Sequence, residues 1–373
     1  MTNTAVRGKI SEIRKNLQET DGRMDLSFYK NRKVLVTGHS GFKGSWLSKL
    51  LLSAGAEVYG FSLDVPTDPA LFYLAGIREE LGERSVNGDI RDFEALFGVF
   101  SEIRPEIVLH LAAQPIVRRS YEEPLLTYET NVMGTVNLME CVRRTDSVRS
   151  VVNVTTDKVY ENRELKEAFR EDERLDGYEP YANSKSCSEL ITASYRRSYF
   201  AESGVAVSTA RAGNVIGGGD YARDRILPDC VRAAEKGEPI VLRNPASVRP
   251  YQHVLEPLAV YLKIAEAQYR DPGLAGAYNV GPDREDCLTT GEIAALFCRY
   301  YGEGMRTEVR SDNGPHEAGF LSLDNRKIRE VFSWRPVWRT EEAVRRTVAF
   351  AKAADKKAYM EQEIGEFLNA AAF

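Results

Sequence analysis

The sequence has few of the features that mark metalloproteins and secreted proteins. Its four histidines show no metal-ligand spacing, and its five cysteines are scattered, odd in number and without a CxxC pair. We therefore expect neither a bound metal ion nor a disulfide framework. Free thiols are typical of a reducing compartment, so we expect a cytoplasmic protein.

The sequence also lacks a long apolar run and an excess of positive charge. No segment approaches the ~18–20 apolar residues that span a bilayer, and residues 1–24 are too polar for a secretory signal. The formal net charge is -5 and the pI is about 5.7, which gives no electrostatic reason to expect nucleic-acid binding. We predict neither a membrane nor a nucleic-acid partner.

Residues 1–27 are charged and carry no strand signal. Ile10, Ile13 and Leu17 have the spacing of one short amphipathic helix. We interpret residues 1–27 as an N-terminal extension. It is either a surface segment or a contact that supports oligomer formation.

From Arg32 onward, apolar runs alternate with helical patterns, which indicates a parallel sheet covered on both faces. The fold class predicted is therefore α/β, a doubly wound Rossmann-type sheet. The predicted strands are 33–37, 56–64, 106–113, 150–156 and 205–217. The predicted helices are 45–55, 93–103, 127–144 and 181–200.

After about Gly217 the alternation becomes irregular and richer in Gly, Pro and Arg. Residues 217–229, 243–254 and 279–286 have a loop-like composition, and helical patterns cover 256–270 and 289–302. We predict an NAD-binding domain at 28–216 and a smaller, mainly substrate-binding lobe at 217–373. Residues of about 245–265 are expected to return to the first domain.

The first predicted strand runs into a glycine-rich turn, Gly38, Gly41 and Gly44 in a GxxGxxG pattern. Gly38 permits a tight turn, Gly41 lets backbone approach a pyrophosphate, and Gly44 lets helix and strand pack closely. Asp64 lies at the end of the second strand, where a carboxylate binds ribose hydroxyls and repels a 2′-phosphate. This pattern predicts NAD, although Asp64 alone is also compatible with a simple loop cap.

Further residues are predicted to line the same cofactor site. Those in the glycine turn itself are Ser40, Phe42 and Lys43. Those at the ends of the third and fourth strands are Asp89, Ile90, Leu111, Ala112 and Ala113.

A candidate reacting centre follows. Tyr181 and Lys185 are four residues apart on one helix face, so the lysine ammonium can stabilise a phenolate. Both residues are expected to contact the cofactor as well. The strand at 150–156 ends in the polar sequence Thr156-Asp157-Lys158. That triplet is either part of the site or only a polar strand end.

At this point the sequence resembles the extended short-chain dehydrogenases/reductases, and among them the nucleotide-sugar 4,6-dehydratases that act on CDP-glucose. The matching stretches include VTGHSGFKGSWLS, HLAAQPIVRRSY, TTDKVYEN, YEPYANSKSCSEL and VRPYQHVLEPL, within roughly residues 32–258. The resemblance implies conversion of CDP-glucose to CDP-4-keto-6-deoxyglucose. It also implies a homodimer, or a tetramer, in which helices 127–144 and 181–200 form a four-helix bundle.

The resemblance implies a role for each reacting residue. Tyr181 would take the C4 hydroxyl proton while hydride passes to NAD, and Thr156 would steady that oxygen. Lys158 would remove the C5 proton, and Asp157 would protonate the leaving C6 hydroxyl. The substrate-binding residues implied by the resemblance are Gln114, Arg118, Asn131, Arg211, Asn214 and Arg249, of which Asn131 would organise water and backbone behind Tyr181 and Lys185.

Other functions remain open. UDP-N-acetylhexosamine 4,6-dehydratases have a short gap between the triplet and the tyrosine, whereas twenty-four residues separate Asp157 from Tyr181 here. A 4-epimerase would leave Asp157 and Lys158 without a task. A dehydratase of another nucleotide hexose and a non-catalytic NAD-binding module complete the alternatives.

Overall fold

The computed structural model describes residues 24–162, 166–302, 304–310, 314 and 318–371. Its strands, in chain order, are β1 (Lys33–Thr37), β2 (Glu57–Ser62), β3 (Ser85–Asn87), β4 (Ile107–His110), β5 (Ser150–Val154), β6 (Ala206–Ala212), β7 (Val215–Ile216), β8 (Ile240–Leu242), β9 (Val248–Pro250), β10 (Gln252–His253), β11 (Ala277–Val280), β12 (Cys287–Thr289) and β13 (Thr307–Val309). Seven of them form one parallel sheet in the order β11-β6-β5-β4-β1-β2-β3.

Helices surround this sheet and build the smaller lobe. They are α1 (Phe42–Ser53), α2 (Leu71–Leu74), α3 (Ile77–Leu81), α4 (Phe93–Ile103), α5 (Val117–Glu122), α6 (Pro124–Tyr128), α7 (Gly134–Arg143), α8 (Pro180–Tyr195), α9 (Ile226–Lys236), α10 (Leu255–Arg270), α11 (Thr290–Tyr301), α12 (Arg326–Phe332), α13 (Thr340–Lys352) and α14 (Lys356–Ala370). Short 3-10 turns cover Ser27–Tyr29, Gly82–Arg84, Asp157–Val159, Pro272–Leu274 and Arg284–Asp286. Single π-helical turns cover Glu129–Met133 and Arg196–Phe200.

Side-chain alternation along β1 shows how the sheet is covered on both faces. Val34 and Val36 pack into one apolar core with α1 and α10, whereas Leu35 packs into a second core with α4 and α7. A third core, in the smaller lobe, joins α9, α11 and α13. The predicted doubly wound α/β class is thereby confirmed. Strand order reverses between β1 and β4, and such a reversal opens a ligand crevice at the carboxyl ends of the strands.

The prediction that 279–286 is loop-like was wrong at its start, because Ala277–Val280 forms β11, the edge strand beside β6. The polar Asn279 interrupts the apolar pattern of this strand, which is why the sequence did not indicate it. The Asn279 side chain is nevertheless buried and donates to the Phe169 carbonyl. Segment 243–254 likewise contains β9 and β10.

Two predicted elements are interrupted. The strand predicted at 205–217 breaks into β6 and β7 at Gly213, where a side chain would clash with Pro250. The long helix predicted at 127–144 contains the π-helical turn Glu129–Met133 between α6 and α7.

The predicted helix around Ile10, Ile13 and Leu17 lies outside the described residues. Met24 and Leu26 are buried in the main core, so the chain joins that core before residue 27. The exact domain boundaries remain predictions.

Candidate active site

A cleft of about 600 Å³ lies at the carboxyl ends of β4, β5 and β6. Its walls are the loop after β4, the turn after β5, the start of α8, and the 213–229 and 241–251 segments of the smaller lobe. Four of the five predicted catalytic residues line it: Thr156, Asp157, Lys158 and Tyr181. The cleft has the volume of a site for a small ligand.

The glycine turn between β1 and α1 forms beside this cleft. Gly38 has a φ of 75°, and a Cβ there would lie 2.7 Å from the Ala112 backbone nitrogen. A Cβ on Gly44 would lie 2.0 Å from the Gly38 carbonyl oxygen, so helix and turn touch only because the side chain is absent. A Cβ on Gly41 would make only an ordinary 3.5 Å contact.

Gly41 therefore has a different use. It is the N-cap of α1, and no side chain caps that helix. No side-chain cap occupies the N-terminus of α1, so its first backbone N–H groups can donate to a phosphate group. The turn fits the pyrophosphate of a dinucleotide.

The predicted ribose-binding Asp64 follows β2 and is exposed. Its carboxylate accepts from the backbone N–H of Val65 at 2.7 Å and from the Tyr73 hydroxyl at 3.3 Å. Ser40 is buried, and its hydroxyl donates to the Leu63 carbonyl at 3.1 Å. Ser40 thus ties the glycine turn to the end of β2, next to Asp64.

His39 anchors the same corner. Its Nδ1 lies 3.0 Å from the Ser62 hydroxyl, which donates to Ser40 at 2.9 Å, and its Nε2 lies 2.7 Å from the Ser85 hydroxyl. Burial lowers the pKa of His39 to about 4, so the ring is neutral at pH 7. The ring lies directly over Gly60, where a Cβ would come within 2.2 Å of it.

The other predicted cofactor residues lie around this corner. Hydrogen bonds from Arg91 hold the carboxylate of Asp89 and lower its pKa. Ile90 is buried against Gly134. The half-buried Leu111, Ala112 and Ala113 follow β4, and Phe42 packs against the main core.

Tyr181 lies in the first turn of α8, at the floor of the cleft. Burial raises the pKa of Tyr181 to about 12, while the neighbouring Thr156 hydroxyl acts in the opposite direction. One turn on, the Lys185 ammonium donates to the Val154 carbonyl at 3.0 Å, and burial lowers its pKa to about 8. A positive charge bound beside the phenol would favour its ionisation.

The Asp157–Val159 turn follows β5 after two residues and carries Asp157 and Lys158, the predicted acid and base. Asp157 is 1% exposed, and its Oδ1 accepts from the Thr156 hydroxyl at 2.9 Å. Its Oδ2 is buried and has no hydrogen-bond partner in the described part of the chain. Lys158 lines the same cleft. The triplet is therefore part of the site rather than a solvent-facing strand end.

Lys43 was predicted only as a cofactor residue, but it lines the cleft together with Tyr181 and Asp157. Burial, with the nearby charges of Lys185 and Arg225, lowers the pKa of Lys43 to about 7. This lysine extends from the glycine turn to the reacting end of the cleft.

Glu179 was missed by the sequence analysis. Its buried carboxylate accepts from the backbone N–H groups of Tyr181 at 2.7 Å and Ala182 at 3.0 Å, and from the Ser120 hydroxyl at 3.2 Å. It therefore joins α5 to the first turn of α8 and fixes the backbone of the catalytic tyrosine. An acidic residue just before a helix is an N-cap signal, so the sequence contained the clue.

Neither Gln114 nor Asn131 lines the cleft, so the sugar contact expected of Gln114 needs a correction, whereas Asn131 was expected only to organise water and backbone behind Tyr181 and Lys185. Asn131 is 1% exposed and exchanges two hydrogen bonds with the Gln114 backbone, at 2.8 and 3.1 Å. The Gln114 side chain bonds to the backbone of Ile116 and to the Thr127 hydroxyl. Both amides shape the loop after β4 from behind instead of facing a sugar.

Arg211 also needs a correction. It is buried away from the cleft, where its guanidinium pairs with Glu189 at 2.8 Å and donates to the Tyr160 hydroxyl at 2.8 Å. The expected diphosphate contact is not available to it. Every residue of β6 is buried, and the sequence around Arg211 does not reveal which face of the strand its side chain occupies.

Arg118, Asn214 and Arg249 do line the cleft. Sequence reasoning missed two more cations there, Arg225 and Arg243. Among the described lining residues there are six cationic side chains and four carboxylates, an excess of two positive charges when all are ionised. The chain as a whole carries a net charge of -5, so the cleft is a local exception that suits a diphosphate.

Within the described ranges, no group of three or more His, Cys, Asp or Glu residues could hold a metal ion. A search of the same residues finds no helix of the length and apolarity that a membrane crossing requires.

The sequence matches the family model described as GDP-mannose 4,6 dehydratase over residues 35–347. It is 43% identical to CDP-glucose 4,6-dehydratase of Salmonella typhimurium over 357 residues, which cover 93% of this chain and 99% of that protein. It is 26% identical to dTDP-glucose 4,6-dehydratase of Haemophilus influenzae, covering 84% of this chain and 96% of that protein.

Two solved structures show the same fold. The UDP-glucose 4-epimerase of Thermus thermophilus, in complex with NAD, superposes with a TM-score of 0.72 at 29% identity, covering 86% of this chain and 99% of that one. The dTDP-glucose 4,6-dehydratase of Bacillus anthracis, also with NAD, gives a TM-score of 0.71 at 22% identity, covering 88% and 99%.

Sheet order, glycine turn and the Tyr181–Lys185 pair define the class, an extended short-chain dehydrogenase/reductase. Within that class, the match over most of the sequence decides the family. The chain belongs to the GDP-mannose 4,6 dehydratase family.

Proposed function

We propose that the protein is a nucleotide-sugar 4,6-dehydratase that converts CDP-glucose to CDP-4-keto-6-deoxyglucose with NAD. The observation that carries the proposal is the convergence of Tyr181, Asp157 and Lys158 on one cleft beside the glycine turn. An oxidation at C4 needs only the tyrosine and the cofactor. The acid/base couple is the addition that an elimination requires.

The cofactor residues fit NAD. The bare N-terminus of α1 and the close Gly38–Gly44 contact would hold the pyrophosphate, and Asp64 would bind the ribose hydroxyls. NAD, when bound, supplies a hydride acceptor for C4 and returns the hydride to C6.

Tyr181 would accept the proton of the C4 hydroxyl. In the ligand-free chain its pKa is raised to about 12 by burial, so it must become more acidic on binding. The Thr156 hydroxyl beside it would bond to the same sugar oxygen, and the Lys185 ammonium lies one turn away. Glu179 would keep the tyrosine backbone fixed during the transfer.

Lys158 would then remove the C5 proton, which the C4 ketone has made acidic. Asp157, which must enter this step protonated, would give its proton to the C6 hydroxyl, which leaves as water. Its buried Oδ2, to which no described residue bonds, is the oxygen suited to that transfer. When hydride reaches C6, a proton returns to C5, and the atoms balance as loss of one water.

Two separate observations support this substrate. Sequence identity to a relative supports the nucleotide, and the charge of the cleft supports the diphosphate. The relative at 43% identity is a CDP-glucose 4,6-dehydratase. The positive excess of the cleft, with Arg118 and Arg249 on its walls, supports a diphosphate link between sugar and base.

The decisive experiment incubates the purified protein with NAD and, in parallel, CDP-, UDP-, GDP- and dTDP-glucose. We expect CDP-glucose to lose one water by mass and to give the base-induced absorbance of a 4-keto sugar. Catalysis with another nucleotide alone would correct the base. Inertness with all four would refute the dehydratase proposal.

A 4-epimerase is the second candidate, because the fold is shared with UDP-glucose 4-epimerase of Thermus thermophilus. The buried Asp157 and the cleft-lining Lys158 count against it, since epimerisation needs no acid at C6. The same assay separates the two, because an epimerase product keeps the mass of its substrate.

We further propose a cytoplasmic homodimer, with a tetramer as the alternative. Helices α7 and α8 pack through hydrogen bonds such as Thr135 to Ser188 at 3.0 Å. Leu125 in α6, Met133 in the π-helical turn before α7 and Leu190 in α8 are exposed, which favours a partner on these helical segments. The free cysteines support a reducing compartment. Light scattering should give twice the chain mass, and a Leu190→Glu variant should be monomeric.

A further inference from the structure

Asp224 stands between two arginines that come from opposite walls of the cleft. Its Oδ1 lies 2.6 Å from Arg243 Nη1, in the smaller lobe, and 3.8 Å from Arg118 Nε, in α5. All three side chains line the cleft and are 26% to 35% exposed, so they lie at its opening. One carboxylate oxygen thus bridges the two walls.

The backbone holds Asp224 in this place. Its φ is 60°, in the left-handed region that few residues other than glycine, asparagine and aspartate adopt readily. Asp224 precedes Arg225, the N-cap of α9, and the first turn of that helix also lines the cleft. The position is therefore set by the fold and not by a mobile side chain alone.

The bridge is a poorer match for two guanidinium groups than a diphosphate would be. Asp224 offers the two guanidinium groups a single shared oxygen, at 3.8 and 2.6 Å, whereas phosphate groups offer several acceptor oxygens that suit planar donor forks. The cleft already carries an excess of two positive charges with Asp224 ionised. A diphosphate dianion would neutralise that excess.

We propose that Asp224 sets the affinity of the site for the diphosphate by holding the place between Arg118 and Arg243 that a nucleoside diphosphate takes when it binds. The inference rests on the proposed function, since it assumes a substrate with a diphosphate. In the ligand-free protein Asp224 keeps the two arginines facing each other across the opening. On binding, phosphate oxygens replace the carboxylate, and release of product restores the bridge.

The consequence is measurable because Asp224 competes with the ligand. Asparagine tolerates the same φ, so Asp224→Asn removes the charge with little change to the backbone. We expect CDP to bind about threefold to fivefold more tightly, from the size of exposed ion-pair energies, and the gain to fade at high salt. The KM for CDP-glucose should fall by the same factor. Since Asp224 does not touch the reacting atoms, kcat should stay within about twofold.

Glu308→Gln is the matched control, because it removes one exposed carboxylate of the smaller lobe, paired with Arg310, outside the cleft. CDP binding is followed by calorimetry at two ionic strengths, and thermal unfolding confirms that each variant is folded. Should Asp224→Asn destabilise the chain, Asp224→Gly provides a second variant that is compatible with the left-handed backbone.

Weaker CDP binding in both Asp224 variants, or binding equal to that of Glu308→Gln, would overturn the proposal. The binding measurement uses CDP and needs no turnover. Failure of the proposed dehydration would therefore appear as tight CDP binding by the parent chain without loss of water, which is a different result from an unchanged affinity in the variants.

Discussion

The two sides of the proposed active site are built in different ways: the glycine turn, which would hold the cofactor, and the neighbouring cleft, which would hold the substrate. On the cofactor side, Gly38, Gly41, Gly44 and Asp64 come from one unit of strand, helix and strand. On the substrate side, lining residues come from the separate segments 115–118, 156–158, 213–229 and 241–251. The first side is defined by contacts between backbone atoms, and the second by ion pairs such as Arg118–Asp224 and Arg225–Asp220.

This difference separates what is rigid from what is adjustable. A Cβ on Gly38 or Gly44 would lie 2.7 or 2.0 Å from backbone atoms, so these two positions of the cofactor side accept no side chain unless the backbone moves. Partly exposed ion pairs can exchange partners with a charged ligand at small cost. The substrate side can therefore change its ligand while the cofactor side stays constant.

The largest effect is expected where the two sides meet. Lys158→Met should lower kcat for dehydration by about 10²–10⁴-fold, because the base for C5 is lost. Tyr181 and the cofactor are untouched, so NADH absorbance should still appear when CDP-glucose is added. Deuterium from solvent should not enter C5.

Asp157→Asn is the complementary variant, which should still exchange the C5 proton with solvent but not release water. Lys236→Met, at the exposed end of α9, is the control and should behave like the parent chain. Undiminished dehydration by Lys158→Met would remove this lysine from the mechanism.

The next effect tests the rigid side. Gly44→Ala places a Cβ against the Gly38 carbonyl, and we expect a loss of about 3 kcal/mol or more in the free energy of unfolding, together with loss of NAD binding. Gly98→Ala is the matched control, since it is exposed within α4 and a Cβ there meets nothing within 4 Å. It should stabilise the protein by about 0.5–1 kcal/mol. Equal behaviour of both variants in urea unfolding would contradict the packing account of the glycine turn.

Two buried arginines offer a third comparison. Arg211→Met leaves the Glu189 carboxylate buried without its cation, which should cost about 3–5 kcal/mol of stability with little change in KM of the folded enzyme. Arg249→Met should have the opposite profile, a KM for CDP-glucose raised about tenfold and a smaller loss of stability. Denaturant curves and steady-state kinetics on the same preparations measure both. If Arg211→Met raised the KM and Arg249→Met mainly lowered stability, the diphosphate contact would belong to Arg211 instead.

The last prediction concerns the attachment of the C-terminal segment. Glu256 is fully buried, its Oε1 accepts from the backbone N–H groups of Val337 and Trp338, and burial raises its pKa to about 8 from an ordinary 4.5. The folded state thus keeps a proton that the unfolded state releases. This contribution to stability is complete below pH 4.5 and is lost as the pH rises through 8.

Glu256→Gln keeps the acceptor oxygen and cannot ionise. Its free energy of unfolding should match that of the parent at about pH 4.5, exceed it increasingly as the pH rises from 4.5 to 8, and keep that difference above pH 8. Parallel stability curves for the two proteins across this range would mean that Glu256 is ionised in the folded state.

Local sequence patterns were sufficient for the cofactor side. A β-branched run followed by Gly38 requires a turn, and the spacing to Gly44 and Asp64 follows from one strand–helix–strand unit. The Thr156-Asp157-Lys158 triplet follows the carboxyl end of β5, and Tyr181 lies at the start of the next helix, α8. Both therefore lie at the same end of the sheet and line one cleft.

The substrate side could not be derived in this way. Whether Arg211 faces a cleft or a core depends on Glu189, twenty-two residues away on α8. Gln114 and Asn131 turn inward because they satisfy each other, and the pairing becomes visible only when the π-helical turn Glu129–Met133 is known. Strand β11 was missed because its buried Asn279 is polar and is satisfied by distant partners.

Positions 39 and 60 are coupled through the volume that they share. The imidazole of His39 occupies the space of any side chain at residue 60, and it begins the hydroxyl chain through Ser62 and Ser40 to the carbonyl beside Asp64. In related sequences, a larger residue at 60 is therefore compatible only with a smaller one at 39.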